Sequence, residues 1–195
     1  IASGVILAVA LCWFIQRAFA SGQRWGCMRA AGGGGEALGA RKAEGGRGLA
    51  HETEPYVERL LWSAGLVRVA GVDEVGIGPL AGPVVAAAVV FAAEAPRLRG
   101  IADSKVLPRP AREAAAAAIR ATALGVGLGV VEPEEIDRLN IYQAGLQAMR
   151  RAVMALPFLP DHLVVDARHI PELDIPQTRY VRADAFVYSV AAASI

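Results

Sequence analysis

Asp73 and Glu74 stand side by side at the end of a strand pattern over residues 67–72, and a glycine bend, Gly76-Ile77-Gly78-Pro79-Leu80-Ala81-Gly82-Pro83, follows at once. Two carboxylates delivered together beside a main chain that a polymer backbone can approach closely suit metal-assisted phosphodiester chemistry. Asp166 follows the apolar run Leu163-Val164-Val165, and Asp184 lies just past a further strand pattern. The acids recur 93 residues from Asp73 to Asp166 and 18 more to Asp184. Each has an ordinary alternative: a solvated loop entrance for Asp73 and Glu74, a loop start for Asp166, a helix N-cap for Asp184. Recurrence at three strand ends favours a shared role, since four hard oxygen donors suit two divalent cations, Mg²⁺ or Mn²⁺. Adjacent residues on a strand face opposite sides, so Asp73 and Glu74 are expected to meet at one cluster through a bend that Gly76 and Gly78 permit.

Other chemistries fit less well. Gly76-x-Gly78 follows a strand as a dinucleotide fingerprint requires, but the third glycine, Gly82, comes one position late and a strand, not a helix, comes next. Asp103-Ser104-Lys105 reads either as a polar turn or as a hydroxyl and an ammonium that grip a phosphate. His162 and His169 flank Asp166 without the cysteines or further histidines that zinc would need. Ser104 or Ser194 has no Gly-x-Ser-x-Gly elbow around it, so a Ser-His-Asp triad lacks support.

The elements that must position these residues read as an α/β domain. A short amphipathic helix is expected over residues 55–64, stopped by Gly65, then strands over 67–72, 84–91 and 125–131, rich in β-branched residues. A helix over 112–122 carries five consecutive alanines, with Pro110 at its start. Pro133-Glu134-Glu135 is expected to form an acidic turn. Asn140 then caps a helix over 141–155 that presents Leu146, Met149 and Val153 on one face. Strands follow over 162–165 and 178–181, and Asp184 is placed at the N-terminus of a closing helix. Strands first, then strands alternating with helices, make a mixed five-stranded sheet flanked by helices.

Composition sets the frame: 195 residues, 54% hydrophobic and 20% charged, describe a chain that builds a sizeable core. Residues 1–50 hold six Lys/Arg against two Asp/Glu, leaving 14 against 17 for the rest. The domain is mildly acidic, so bulk electrostatics would not hold a nucleic acid; metal ions and a few placed cations would. Cys12 and Cys27 have no metal-ligand spacing and fit a reducing compartment. The apolar run over residues 5–15 is shorter than the ~20 residues a membrane helix needs, and residues 1–50, rich in glycine, are expected to be an unfolded extension.

Taken in order, Val69-Ala70-Gly71-Val72-Asp73-Glu74-Val75-Gly76, Gly78 to Val84, Asp103-Ser104-Lys105, Asn140-Ile141, Val165-Asp166 and Ala191 to Ile195 closely resemble the ribonuclease HII family. The resemblance runs over residues 53–195 and implies an RNase H-like fold. It also implies an endonuclease that cuts the RNA strand of RNA/DNA hybrids and cuts at ribonucleotides embedded in duplex DNA, leaving 5′-phosphate and 3′-hydroxyl ends. On this resemblance Asp73, Glu74, Asp166 and Asp184 would bind two Mn²⁺ or Mg²⁺ ions. Gly76, Ile77 and Gly78 would read the ribose 2′-hydroxyl, and Ser104 and Lys105 would contact the substrate phosphate. A monomer in the cytoplasm, with no membrane and no small-molecule cofactor, is the matching expectation. Two departures are evident: Ile77 stands where the family normally has a basic residue, and the chain stops at Ile195 inside an expected helix, without the family's later helices and sugar-packing Tyr. The alternative reading is therefore a catalytically impaired fragment that at most binds the hybrid.

Overall fold

The computed structural model describes residues 52–79 and 81–195. The apolar run at 5–15, the expected unfolded extension and Leu80 lie outside the described residues. Helix α1 (Tyr56–Ser63) leads into strands β1 (Val69–Val75) and β2 (Val84–Val90), helix α2 (Arg109–Thr122), strand β3 (Gly125–Val131) and helices α3 (Pro133–Leu139) and α4 (Ile141–Met154). Strands β4 (His162–Asp166) and β5 (Gln177–Tyr180), a 3-10 turn (Ala183–Ala185) and helix α5 (Tyr188–Ser194) complete the order.

The strands form one mixed sheet in the order β3-β2-β1-β4-β5. β1 pairs antiparallel with β2 and β2 with β3, whereas β4 runs parallel to β1 and β5 parallel to β4. The parallel crossover from β3 to β4 needs a helical connection, which α3 and α4 supply. On one face α4 buries Ala144, Ala148, Met149, Ala152 and Val153 against Ala70, Val72, Ala86 and Ala88. Wholly buried Met149 contributes on the order of 2 kcal/mol there. Small residues set the spacing: a Cβ at Gly127 or Gly129 of β3 would collide with the α4 carbonyls of Ala152 and Ala148. On the opposite face α1 packs Val57 and Leu61 against Val69, Val164 and Val190, while α2 packs Ala115 and Ile119 against Phe91, Tyr188 and Ala191. A Cβ at Gly71 would meet the backbone of Ser189 and Val190, so α5 lies directly on β1.

Three expectations are corrected. Residues 133–135 open helix α3 instead of a turn: Pro133 sits at its first position and Glu134 and Glu135 in its first turn, where the helix dipole favours acid. β1 does not end before the acids but runs through Asp73 and Glu74 to Val75, paired with β2 throughout. Asp184 does not begin the closing helix; it lies in the separate 3-10 turn, entered through a left-handed Arg182 (φ 60°). Among the described residues no helix is long and apolar enough to cross a membrane.

Candidate active site

β1 and β4 are neighbours and parallel, so their C-terminal ends carry Asp73, Glu74 and Asp166 to the same edge of the sheet. The register ends at Val72↔Val165, one residue before Asp73 and Asp166. No bend of β1 brings the adjacent acids together, contrary to expectation. Asp73 projects toward α5 and Glu74 toward the α4 face, and the charge of Asp166 acts on both.

Asp73 is 6% exposed and its Oδ1 accepts the Glu74 N–H at 2.8 Å. Burial, with the charges of Glu74 and Asp166, pushes its pKa up to about 7, against the stabilising hydrogen bond from Ser194. Burial also raises Glu74 and Asp166, the former helped by Asp166 and opposed by Arg168, the latter helped by Asp184 and opposed by the Ala183 N–H. That N–H reaches Asp166 Oδ1 at 2.7 Å and ties the 3-10 turn to β4. Asp184, 3% exposed, accepts the Lys105 ammonium on Oδ2 at 2.9 Å. Lys105 remains largely exposed, and Asp184 raises its pKa.

The structure assigns the remaining predicted residues less uniform places. Ser104 Oγ is 2.8 Å from Ser194 Oγ, so it braces the loop against α5 beside Asp73. Gly76 takes φ 100°, and a Cβ there would press on the Pro83 carbonyl; the bend requires glycine. Gly78 faces open space with no such constraint. Ile77 packs partly buried against the α4 core and brings no charge to the bend. His162 is a core histidine: its Nε2 lies 2.9 Å from Thr178 Oγ1 and burial lowers its pKa to about 4. Arg168 and Tyr142 escaped the sequence reading, although a cation two residues past an acidic strand end was a usable signal. Arg168 Nη2 stands 3.9 Å from Glu74 Oε1, and its guanidinium lies 4.8 Å over the Tyr142 ring.

As the side chains stand, no three His, Cys, Asp or Glu among the described residues are grouped tightly enough to hold a metal ion. The chemistry of the donors nevertheless fits hard divalent cations. All are carboxylates, three are pushed upward together, and the buried Oε2 of Glu74 has no hydrogen-bond partner. Such a cluster is short of positive charge, which a dication supplies.

A family model described as Ribonuclease HII matches residues 70–195. A ribonuclease HII of Myxococcus xanthus (strain DK1622) is 53% identical over 139 residues, 71% of this chain and 47% of that protein. Another from Anaeromyxobacter sp. (strain Fw109-5) is 51% identical over 156 residues, 80% of this chain and 48% of that protein. The chain thus spans about half the length of these relatives. The crystal structure of the ribonuclease H2 from Pyrococcus horikoshii OT3 superposes with a TM-score of 0.57 at 29% identity, covering 65% of this chain and 68% of that one. The mixed sheet with its flanking helices is an RNase H-like α/β fold.

Proposed function

We propose that this chain, which belongs to the ribonuclease HII family, carries the acidic centre of a metal-dependent endonuclease. Its substrates are the RNA strand of RNA/DNA hybrids and single ribonucleotides embedded in duplex DNA, cut to leave 5′-phosphate and 3′-hydroxyl ends. The observation that carries this reading is the acidic edge of the sheet, where burial raises Asp73, Glu74 and Asp166 together, the charge of Asp166 adds to both Asp73 and Glu74, and Glu74 Oε2 is buried without a hydrogen-bond partner among the described residues.

Asp73, Glu74, Asp166 and Asp184 would hold two divalent ions, Mn²⁺ or Mg²⁺. When bound, such ions supply Lewis-acid stabilisation of phosphoryl charge and a water of lowered pKa. The protein's own contribution is positional. The Glu74 N–H and Ser194 hydrogen-bond the Asp73 carboxylate, and the Ala183 N–H hydrogen-bonds that of Asp166. Lys105, mostly in solvent and paired with Asp184 through one contact at 2.9 Å, has donors left to take a substrate phosphate. Exposed Gly78 and the left-handed Gly76 leave main chain open to a ribose 2′-hydroxyl, the group that separates RNA from DNA.

The test is cleavage of duplex DNA carrying one ribonucleotide, in Mn²⁺ or Mg²⁺, by this chain and by Asp73→Asn. Cutting on the 5′ side of the ribonucleotide that disappears in the variant is the expected result. A folded chain that binds hybrid and cuts nothing supports the second reading, a hybrid-binding piece without catalysis; the apolar seating of Ile77, which leaves the bend without a cation, favours that outcome. A chain that neither binds nor cuts sinks both readings.

A further inference from the structure

After Asp166 the chain turns sharply. Ala167 takes a left-handed φ of 53°, its N–H donates to the Tyr180 carbonyl at 2.8 Å, and the Arg168 N–H donates to the Asp166 carbonyl at 2.6 Å. The turn sends Arg168 back against α4. Its guanidinium covers the Tyr142 ring at 4.8 Å, and Tyr142 is itself 52% exposed. Among the described residues its Nη1 is buried with no hydrogen-bond partner, and its ion pair to Glu74 is stretched to 3.9 Å. A guanidinium offers five N–H donors in a planar fork, so most of this one's capacity is unspent.

The seat is shaped by Gly145, three residues along α4 from Tyr142 and therefore on the same side of the helix. A Cβ at Gly145 would lie 2.7 Å from Arg168 Nη1 and 3.0 Å from Ile77 Cδ1. Glycine in the middle of a helix is a local cost, and here the space it leaves is filled by the guanidinium. About a fifth of the Arg168 side chain stays open to solvent. The fork therefore borders the glycine bend on one side and the acidic edge on the other. In a domain of net negative charge, single placed cations must do what a basic face does elsewhere.

We propose that Arg168, seated on Tyr142 in the space left by Gly145, grips a backbone phosphate of the nucleic-acid strand running past the Gly76 bend. It is a substrate-positioning contact separate from Lys105. The inference rests on the ribonuclease reading and adds to it a residue that reads the strand through its phosphates.

The experiment measures the affinity of a short RNA/DNA hybrid by fluorescence anisotropy in Mg²⁺ over a series of salt concentrations, in an Asp73→Asn background that keeps the substrate whole. Adding Arg168→Ala is expected to weaken binding about tenfold and to flatten the dependence of log K on log salt by roughly 0.7–0.9, one phosphate's share. Arg168→Lys should lose less. Gly145→Ala, which crowds only the flexible ends of Arg168 and Ile77, should weaken binding while the melting temperature holds or rises. In the cleaving chain, Arg168→Ala should raise KM with kcat within about twofold, as the loss of uniform binding requires. An Arg168→Ala protein with the parent's affinity and salt slope overturns this inference while leaving the ribonuclease reading intact. So does a fall in kcat with both unchanged, since the residue would then act only through Glu74. A parent that binds no hybrid overturns the underlying reading, and this inference with it.

Discussion

Glu58 and Asp73 are both buried and pushed upward in pKa, yet they belong to different kinds of place. Glu58 on α1 is 1% exposed, and its Oε1 accepts both the Ser189 N–H at 2.7 Å and the Ser189 hydroxyl at 2.6 Å. It supplies, from 131 residues away, the acceptor that the start of α5 lacks locally, because Val187 at the cap position has no side-chain oxygen. Asp73 is almost as buried, but its neighbours are Glu74 and Asp166, two further acids that raise it. Among the described residues no other acid raises Glu58; desolvation raises it, and the Ser189 hydrogen bonds oppose that. Burial with a perturbed pKa therefore marks both a structural strut and a reaction centre. What separates them is mutual repulsion among several acids at an edge that solvent and a substrate can reach.

The contrast is broken most sharply by activity. Asp73→Asn should cost on the order of 10²–10³ in cleavage rate or more, as the loss of a group that organises charge at a reaction centre does, whereas Glu58→Gln, still able to accept from Ser189, should cut at nearly the parent rate. Equal losses in a ribonucleotide-cleavage assay would erase the distinction.

Stability should respond in the opposite direction. The folded pKa of Asp73, about 7, lies above its ordinary 3.8. Between those values the native state binds the extra proton, so stability falls as pH rises from about 4 to about 7 and stays low above. The shift corresponds to at most about 4 kcal/mol. In metal-free buffer Asp73→Asn should match the parent near pH 4 and exceed it at pH 8 by roughly 2–4 kcal/mol in urea unfolding. Mn²⁺ should partly restore the parent at pH 8, by about 2.7 kcal/mol at a hundredfold excess over Kd, and restore the variant less.

For the strut, Glu58→Ala should destabilise by about 2–4 kcal/mol, since it strands the Ser189 donors and opens a cavity, and Glu58→Gln by about 1 kcal/mol or less. Calorimetry that found Glu58→Ala harmless would deny Glu58 its role in anchoring α5. The smallest effect probes strain. Ala167 and Arg182, both left-handed, flank Asp166 and Asp184, while the strut region has no such residue. Ala167→Gly should gain up to about 1 kcal/mol at unchanged fold, a value read from the shift in unfolding midpoint.

Much of the scaffold was legible in the residues. All five strands were expected, the first three from their β-branched runs, the alanine-rich stretch marked α2, and Asn140 caps α4 as expected, its Oδ1 accepting the Gln143 N–H at 3.0 Å. Helix α3 was missed because none of its seven residues is fully buried, Ile136 alone packing partly buried on the main core, and only Pro133 and two first-turn glutamates announce it. It is held from outside, Glu135 receiving both Nη groups of Arg151 at 2.7–2.9 Å. Strand ends and spacing pointed to the four acids as candidates, but the way the structure places them was not legible. A bend was expected where the strand in fact stays in regular register with β2, and the neighbouring strand carries Asp166 to where it acts on both adjacent acids.

By itself, then, the chain's order of residues determined which segments become strands, most of the helices between them and which carboxylates fall at or just past strand ends, because hydrophobic period and turn chemistry are local properties. Only the tertiary structure decided that Ser104 would brace Ser194, that Glu58 would cap α5, and that Arg168 would settle on Tyr142 in the space beside Gly145. Those contacts join residues brought together by the parallel pairing of β1 with β4 and by helices that sit on glycine backbones. A distance of a few ångströms across the sheet depends on register and close packing, which no spacing along the chain records.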